Sequence, residues 1–168
     1  ARFDQRDYKG AVIQLKNALQ LDKSLIQVHL LLGQALLADG QVVAAQTALE
    51  EALQRGVNRA ELVVPLAESM IQQGKQEDIL RDARFSIPGL PLRTAATLLL
   101  LRAGAAADLG DARQAMADID EARRLEPGSA ASWVAEVPVR IRAGQLTEAL
   151  AAADRALMLA PGDVEALH

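Results

Sequence analysis

A helix-turn-helix stretch that keeps returning along the chain is the strongest constraint on what this sequence can fold into. Residues 26–59, IQVHLLLGQALLADGQVVAAQTALEEALQRGVNR, hold two amphipathic halves. In the first, His29, Leu32, Gly33, Leu36 and Leu37 stand at i, i+3, i+4, i+7 and i+8, one stripe of a 3.6-residue helix. In the second, Ala45, Ala48, Leu49, Ala52 and Leu53 do the same. Between them Asp39-Gly40 places a residue that adopts the left-handed C′ conformation without a Cβ penalty, so one helix stops and the next folds back on it. Glycines 40, 74, 110 and 144 are 34, 36 and 34 residues apart, and Arg6 stands at the same phase one period earlier. Each helix of such a pair has a second apolar edge, which is covered only when the next copy stacks on it. The recurrence predicts an all-α solenoid of antiparallel helix pairs.

Taken in order, residues 1–25 are a partial repeat, with Tyr8, Ala11, Leu15, Ala18 and Leu19 standing 34 residues before Val42, Ala45, Leu49, Ala52 and Leu53. Residues 26–59 are a full repeat and 60–95 an irregular one: Leu62, Leu66, Met70 and Ile71 line its first helix, Ile79, Leu80 and Ala83 its second. There the run SIPGLPL, with Pro88, Gly89 and Pro91, cannot continue a helix and cuts the second one short, while Pro91 suits the start of the next. Residues 96–129 and 130–163 repeat again, and 164–168 begin a further unit, the whole forming a single array over 1–168. Pro138 falls in mid-helix, where a kink is expected.

Composition agrees with a helical, soluble chain. Apolar residues make up 51% and charged residues 24%, which excludes disorder. The only aromatics are Phe3, Tyr8, Phe85 and Trp133, so Ala and Leu carry the apolar weight and the helices approach closely. A net charge of −4 gives no electrostatic footprint for nucleic acid or anionic lipid and mildly favours a basic partner. The absence of cysteine removes disulfides, thiolate chemistry and Cys-based metal sites, and leaves the compartment open between cytoplasm and periplasm. No apolar run approaches a membrane span, so direct membrane insertion by these residues is not expected.

A 34-residue helix pair with Ala at close-approach positions, Gly at the turn and Pro after the second helix resembles the tetratricopeptide repeat. The family pattern is carried by His29-x2-Leu32-Gly33-x2-Leu36, Ala45-x3-Leu49 and Ala52; by Ala115-x3-Ile119, Ala122 and Pro127; and by Trp133, Ala149, Ala156 and Pro161, where Glu136-Val137 replaces Leu-Gly. The resemblance covers essentially the whole chain and implies a right-handed superhelix. More narrowly, the LKNAL and LLGQALLADG segments resemble the tetratricopeptide lipoproteins of bacterial PEP-CTERM/exosortase and exopolysaccharide systems. That resemblance implies an adaptor without catalysis, in the periplasm or anchored at the outer membrane.

Candidate chemistry is sparse. The two histidines are His29, on the packing face and read as a satisfied core residue, and His168 at the end of the sequence. Glu50, Glu51, Asp118, Asp120 and Glu121 read as solvated helix faces, and Trp133 as a stacking filler between units. The glycines are isolated turn residues and form no phosphate loop. No catalytic residue, no cofactor site and no metal site is expected. What remains is the groove: in the family the second, fifth, ninth and twelfth positions of each first helix face the concave wall. Here these are Gln27, Leu30, Gln34 and Leu37, then Glu61, Val64, Glu68 and Ile71 with Gln72 beside them, and Thr97, Leu100, Gly104 and Ala107. An apolar strip edged by amides and carboxylates suits a peptide or protein partner with some basic character. A cationic clamp for acidic C-terminal tails is excluded, because its positions hold Leu30, Leu31, Gln34, Val64, Pro65 and Glu68.

These features predict a non-catalytic interaction scaffold. Two alternatives stand beside it: a substrate-selecting repeat segment of a larger enzyme such as a glycosyltransferase, suggested by ends that fall within repeats, and a self-assembly module. Self-association is expected through bare terminal helices, with Phe3, Val12, Leu15 and Leu19 at one edge and Trp133, Ala149, Ala153 and Leu157 at the other.

Overall fold

The computed structural model describes residues 7–160. Among them the structure is all-α, with no strand. The helices are α1 (Tyr8–Leu21), α2 (Ile26–Ala38), α3 (Val42–Gln54), α4 (Arg59–Gln72), α5 (Gln76–Arg81), α6 (Leu92–Asp108), α7 (Ala112–Leu125), α8 (Ala131–Arg142) and α9 (Leu146–Leu159), with a 3-10 turn at Ala83–Phe85. Phe3, Arg6, Pro161, residues 164–168 and therefore His168 lie outside the described residues.

The helix ends follow from the local sequence. Asp7, Asn58 and Asp111 cap α1, α4 and α7 by accepting from the backbone N–H of Gly10, Ala60 and Gln114. Gly40, Gly74, Gly110 and Gly144 all adopt positive φ, between 75° and 82°. At each of these turns the residue after the glycine donates its N–H back across the helix end, from Gln41 to Leu36, Lys75 to Met70, Asp111 to Ala106 and Gln145 to Arg140. This is the Schellman arrangement, which satisfies carbonyls that the helix leaves open. Val57 donates to Ala52 in the same way after Gly56. The chain is thus stopped by the same device each time the sequence period comes round.

Two compact units result, the first holding α1–α4 with Ala83–Phe85 and the second α5–α9. The two halves of residues 60–95 are thereby shared between the units. In the first unit α2 packs against α1, α3 and α4. Its core gathers Ala11, Val12, Leu32, Ala35, Leu36, Ala45 and Ala48, with Leu15, Leu19 and Leu37 packed against them. Gly33 marks a close approach of α2 to α3, since a Cβ there would stand 2.6 Å from Cγ of Leu49. In the second unit α6 packs on α5, α7 and α8, and α8 on α9, around Ala103, Ala106, Ala115, Ile119 and Val139. Each unit also carries an ion pair between residues 34 apart: Arg84 with Glu50 at 3.0 Å in the first, and Arg142 with Asp108 at 2.9 Å in the second.

Several expectations are corrected by the packing. Val12, Leu15 and Leu19 do not form a bare edge, because α1 turns them onto α2; the exposed apolar residues of α1 are Ile13 and Leu21. On α9, Ala149 is buried and so leaves the expected edge, while Leu157 is exposed as expected, along with Leu146, Leu150 and Met158. The short α5 ends at Arg81 before the proline-rich run. Ala83 is consequently not a core residue of a second helix but an exposed residue of the 3-10 turn, whereas Phe85 is fully buried. α4 and α8 run through Pro65 and Pro138 without ending.

Candidate functional site

The sequence places its candidate wall on α2 and α4, two helices that pack side by side within the first unit. Along α2, Gln27 and Leu31 are exposed and Gln34 and Leu37 half-buried. Leu30 departs from this series: at 6% exposure it belongs to the core and offers little surface to a ligand. Along α4, Glu61 and Gln72 are exposed, and Val64, Pro65, Glu68 and Ile71 half-buried. The result is a strip of aliphatic side chains with amides and two carboxylates among them. Its counterpart in the second unit is smoother: Thr97 and Gly104 are exposed, Leu100 and Ala107 lean on the core, and the Thr97 hydroxyl donates to the Arg93 carbonyl at 3.0 Å.

Charge on the α2 and α4 strip is one-sided. α2 carries no acid and no Lys or Arg, and the one Arg of α4 is Arg59, whose Nη1 donates to the Arg84 carbonyl at 2.8 Å. Burial pushes the Glu68 carboxyl above the usual glutamate range, and among the described residues no hydrogen bond or cation draws it back. Lys75 and Gln73, just beyond α4, are turned to α3, where their side-chain nitrogens both donate to Oε1 of Gln46 at 2.8 Å.

Three polar groups sit differently from what the sequence suggested. His29 is buried at 8% exposure, as a core residue should be, but its Nε2 has no hydrogen-bond partner. Asp118 is not on a solvated face. It is 7% exposed, with Gln114 donating to one carboxylate oxygen at 3.0 Å and Arg102 Nε 3.5 Å from the other. Burial raises its carboxyl against the opposing pull of Arg102 and Gln114. Glu50 is likewise half-buried and paired with Arg84 instead of solvated.

The residues around Trp133 form a network that sequence reading missed. Glu136 is 5% exposed and accepts from Arg123 at 2.7 Å and Arg140 at 2.9 Å. The same Arg123 guanidinium lies 3.4 Å from the centre of the Trp133 ring, and that of Arg155 lies 5.9 Å away. Trp133 is therefore held by cations from α7 and α9, in place of a purely apolar stacking role. The second unit also has an open pocket of about 500 Å³, lined by Ile87, Pro88, Leu90, Leu92, Ala95 and Leu125 together with the charged Glu121 and Arg124. Among the described residues no group of three or more His, Asp and Glu could hold a metal ion, and no helix is long and apolar enough to cross a membrane.

Paired helices stopped by glycine turns at this spacing resemble the architecture of tetratricopeptide-repeat proteins, and residues 2–66 match the family profile described as Tetratricopeptide repeat. Solved structures extend the likeness of fold across the chain. The crystal structure of MamA superposes with a TM-score of 0.72 at 17% identity, over 95% of this chain and 92% of that one. That of TTC0263, a thermophilic tetratricopeptide-repeat protein of Thermus thermophilus, gives 0.70 at 24% identity, over 94% and 86%. YrrB, described as a tetratricopeptide-repeat protein with an unusual peptide-binding site, gives 0.65 at 18%, over 96% and 82%. No curated protein matches the sequence.

Proposed function

We propose that this protein is a non-catalytic scaffold that holds a peptide or segment of a partner protein in the concave groove, along the strip that α2 and α4 expose. The observation that carries this reading is the strip itself: Leu31, Leu37, Val64 and Ile71 supply apolar contact, while Gln27, Gln34, Glu61, Glu68 and Gln72 offer donors and acceptors along its length. A segment laid across two rigid helices gains area from the first set and orientation from the second. The peptide-binding site attributed to YrrB, which shares the fold, supports the same use. The test is photo-crosslinking from a benzophenone side chain placed at Gln34 or Gln72, with Gln114 on α7 as the control. Partner peptides should be trapped from the α2 and α4 positions and compete with unlabelled peptide. Equal trapping at Gln114 would overturn the proposal.

The LKNAL and LLGQALLADG segments support a place for the scaffold in a bacterial envelope sorting or exopolysaccharide system. Deleting the gene should then alter surface polysaccharide or envelope protein sorting. An unchanged envelope would refute the assignment while leaving the scaffold reading intact.

A further inference from the structure

The chemistry of the peptide can be narrowed from one carboxylate. Glu68 lies about two helical turns beyond Glu61 on α4, roughly 10 Å along the axis. Three other carboxylates drawn into the protein are compensated: Glu50 by Arg84, Asp118 by Arg102, and Glu136 by Arg123 and Arg140. Glu68 is half-buried on the same stripe of α4 as Val64 and Ile71 and has no cation partner, and among the described residues α2 and α4 place no free cation on this face. Arg59 is committed to the Arg84 carbonyl, Lys75 to Gln46, and α2 has no Lys or Arg. A half-desolvated carboxylate without a partner is unfavourable in the free protein and becomes favourable once a cation reaches it.

Resting on the scaffold reading above, we infer that the α2 and α4 face selects a peptide segment bearing a lysine or arginine, whose cation pairs with Glu68 while flanking apolar side chains rest on Leu31, Leu37, Val64 and Ile71. The apolar neighbours matter because they lower the local dielectric, so a pair formed here is screened less than one at a fully exposed site.

The experiment is selection of a random dodecapeptide phage library on three proteins: wild type, Glu68→Gln and Glu68→Lys. Glu68→Gln keeps the shape of the side chain, and circular dichroism and thermal melts establish that each variant is folded. Wild type should enrich peptides with Lys or Arg at one recurrent position. Glu68→Gln should lose that preference, and Glu68→Lys should replace it with Asp or Glu. A synthetic peptide from the wild-type pool should bind about tenfold more weakly to Glu68→Gln, with a reduced salt dependence. Equal enrichment of basic peptides on all three proteins, with crosslinking still at Gln34, would overturn the role of Glu68 and leave the scaffold reading standing. Failure of wild type to enrich any peptide would overturn the peptide-binding reading itself.

Discussion

Two glycines within helices do opposite things. At Gly33 the absence of a Cβ lets α2 approach α3, because the added atom would stand 2.6 Å from Cγ and Cδ2 of Leu49. Gly104 sits within α6 with nothing inside 4 Å of a built Cβ and no positive φ. Gly33→Leu should therefore cost about 1 to 3 kcal/mol through overpacking, and Gly104→Ala should gain about 0.5 to 1 kcal/mol by stiffening the unfolded chain and favouring the helix. Urea midpoints of the two variants should move in opposite directions; movement in the same direction would contradict this account of the close approach. Charge gives a second residue-scale prediction. Burial raises the Glu68 carboxyl, so the folded state holds its proton more tightly than the unfolded chain. The penalty for the ionised form is complete at neutral pH and is relieved as pH falls through the raised value to the usual glutamate range. Glu68→Gln should melt above wild type at neutral pH, and the gap should close on acidification. A gap independent of pH would exclude burial of the charge as its cause.

At the scale of elements, most turns are one structure used repeatedly. The bonds from Gln41 to Leu36 and from Gln145 to Arg140 lock the chain within a residue or two of each helix end. The run from Ser86 to Pro91 has another design, with prolines at 88 and 91 that donate no N–H and with Leu90 donating to the Ile87 carbonyl at 3.2 Å. Amides in residues 86–92 should exchange faster than those following Gly40 and Gly144, and mass spectrometry of peptides covering each turn will measure it. Equal protection would mean that this run is as firmly held as the Schellman turns. The sequence showed where α5 had to stop but not that Phe85 would be fully buried. Burial outside a regular helix depends on which residue reaches a core in three dimensions, and no periodicity records that.

For the molecule as a whole, the division into two compact units bears on how damage spreads. In repeat architectures each element is stabilised mainly by its neighbours, so an insult in one place need not be felt equally elsewhere. The single tryptophan, Trp133, lies in the second unit, clasped by Arg123 and Arg155. Its fluorescence therefore reports on that unit, whereas far-ultraviolet circular dichroism reports on every helix. Gly33→Leu, placed in the first unit, should lower the dichroism midpoint more than the fluorescence midpoint. Identical shifts would show that residues 7–160 unfold as one cooperative body.

The sequence by itself determined the helical class, the spacing of the turns and the residues that make them, because period and glycine placement are local properties that backbone sterics read directly. It also pointed to Gly33 as a close approach, since small residues at fixed phase are visible in one dimension. Asp118 was nearly legible: it stands three residues after Ala115 and four before Ala122, on the buried stripe of α7, but its charge argued for solvent. Only the tertiary structure decided that Arg102 and Gln114 would meet it there, that Glu136 would be ringed by Arg123 and Arg140, and that Leu30 would turn into the core. Whether a buried charge is tolerated depends on a partner brought from another helix, and that meeting is a property of packing alone.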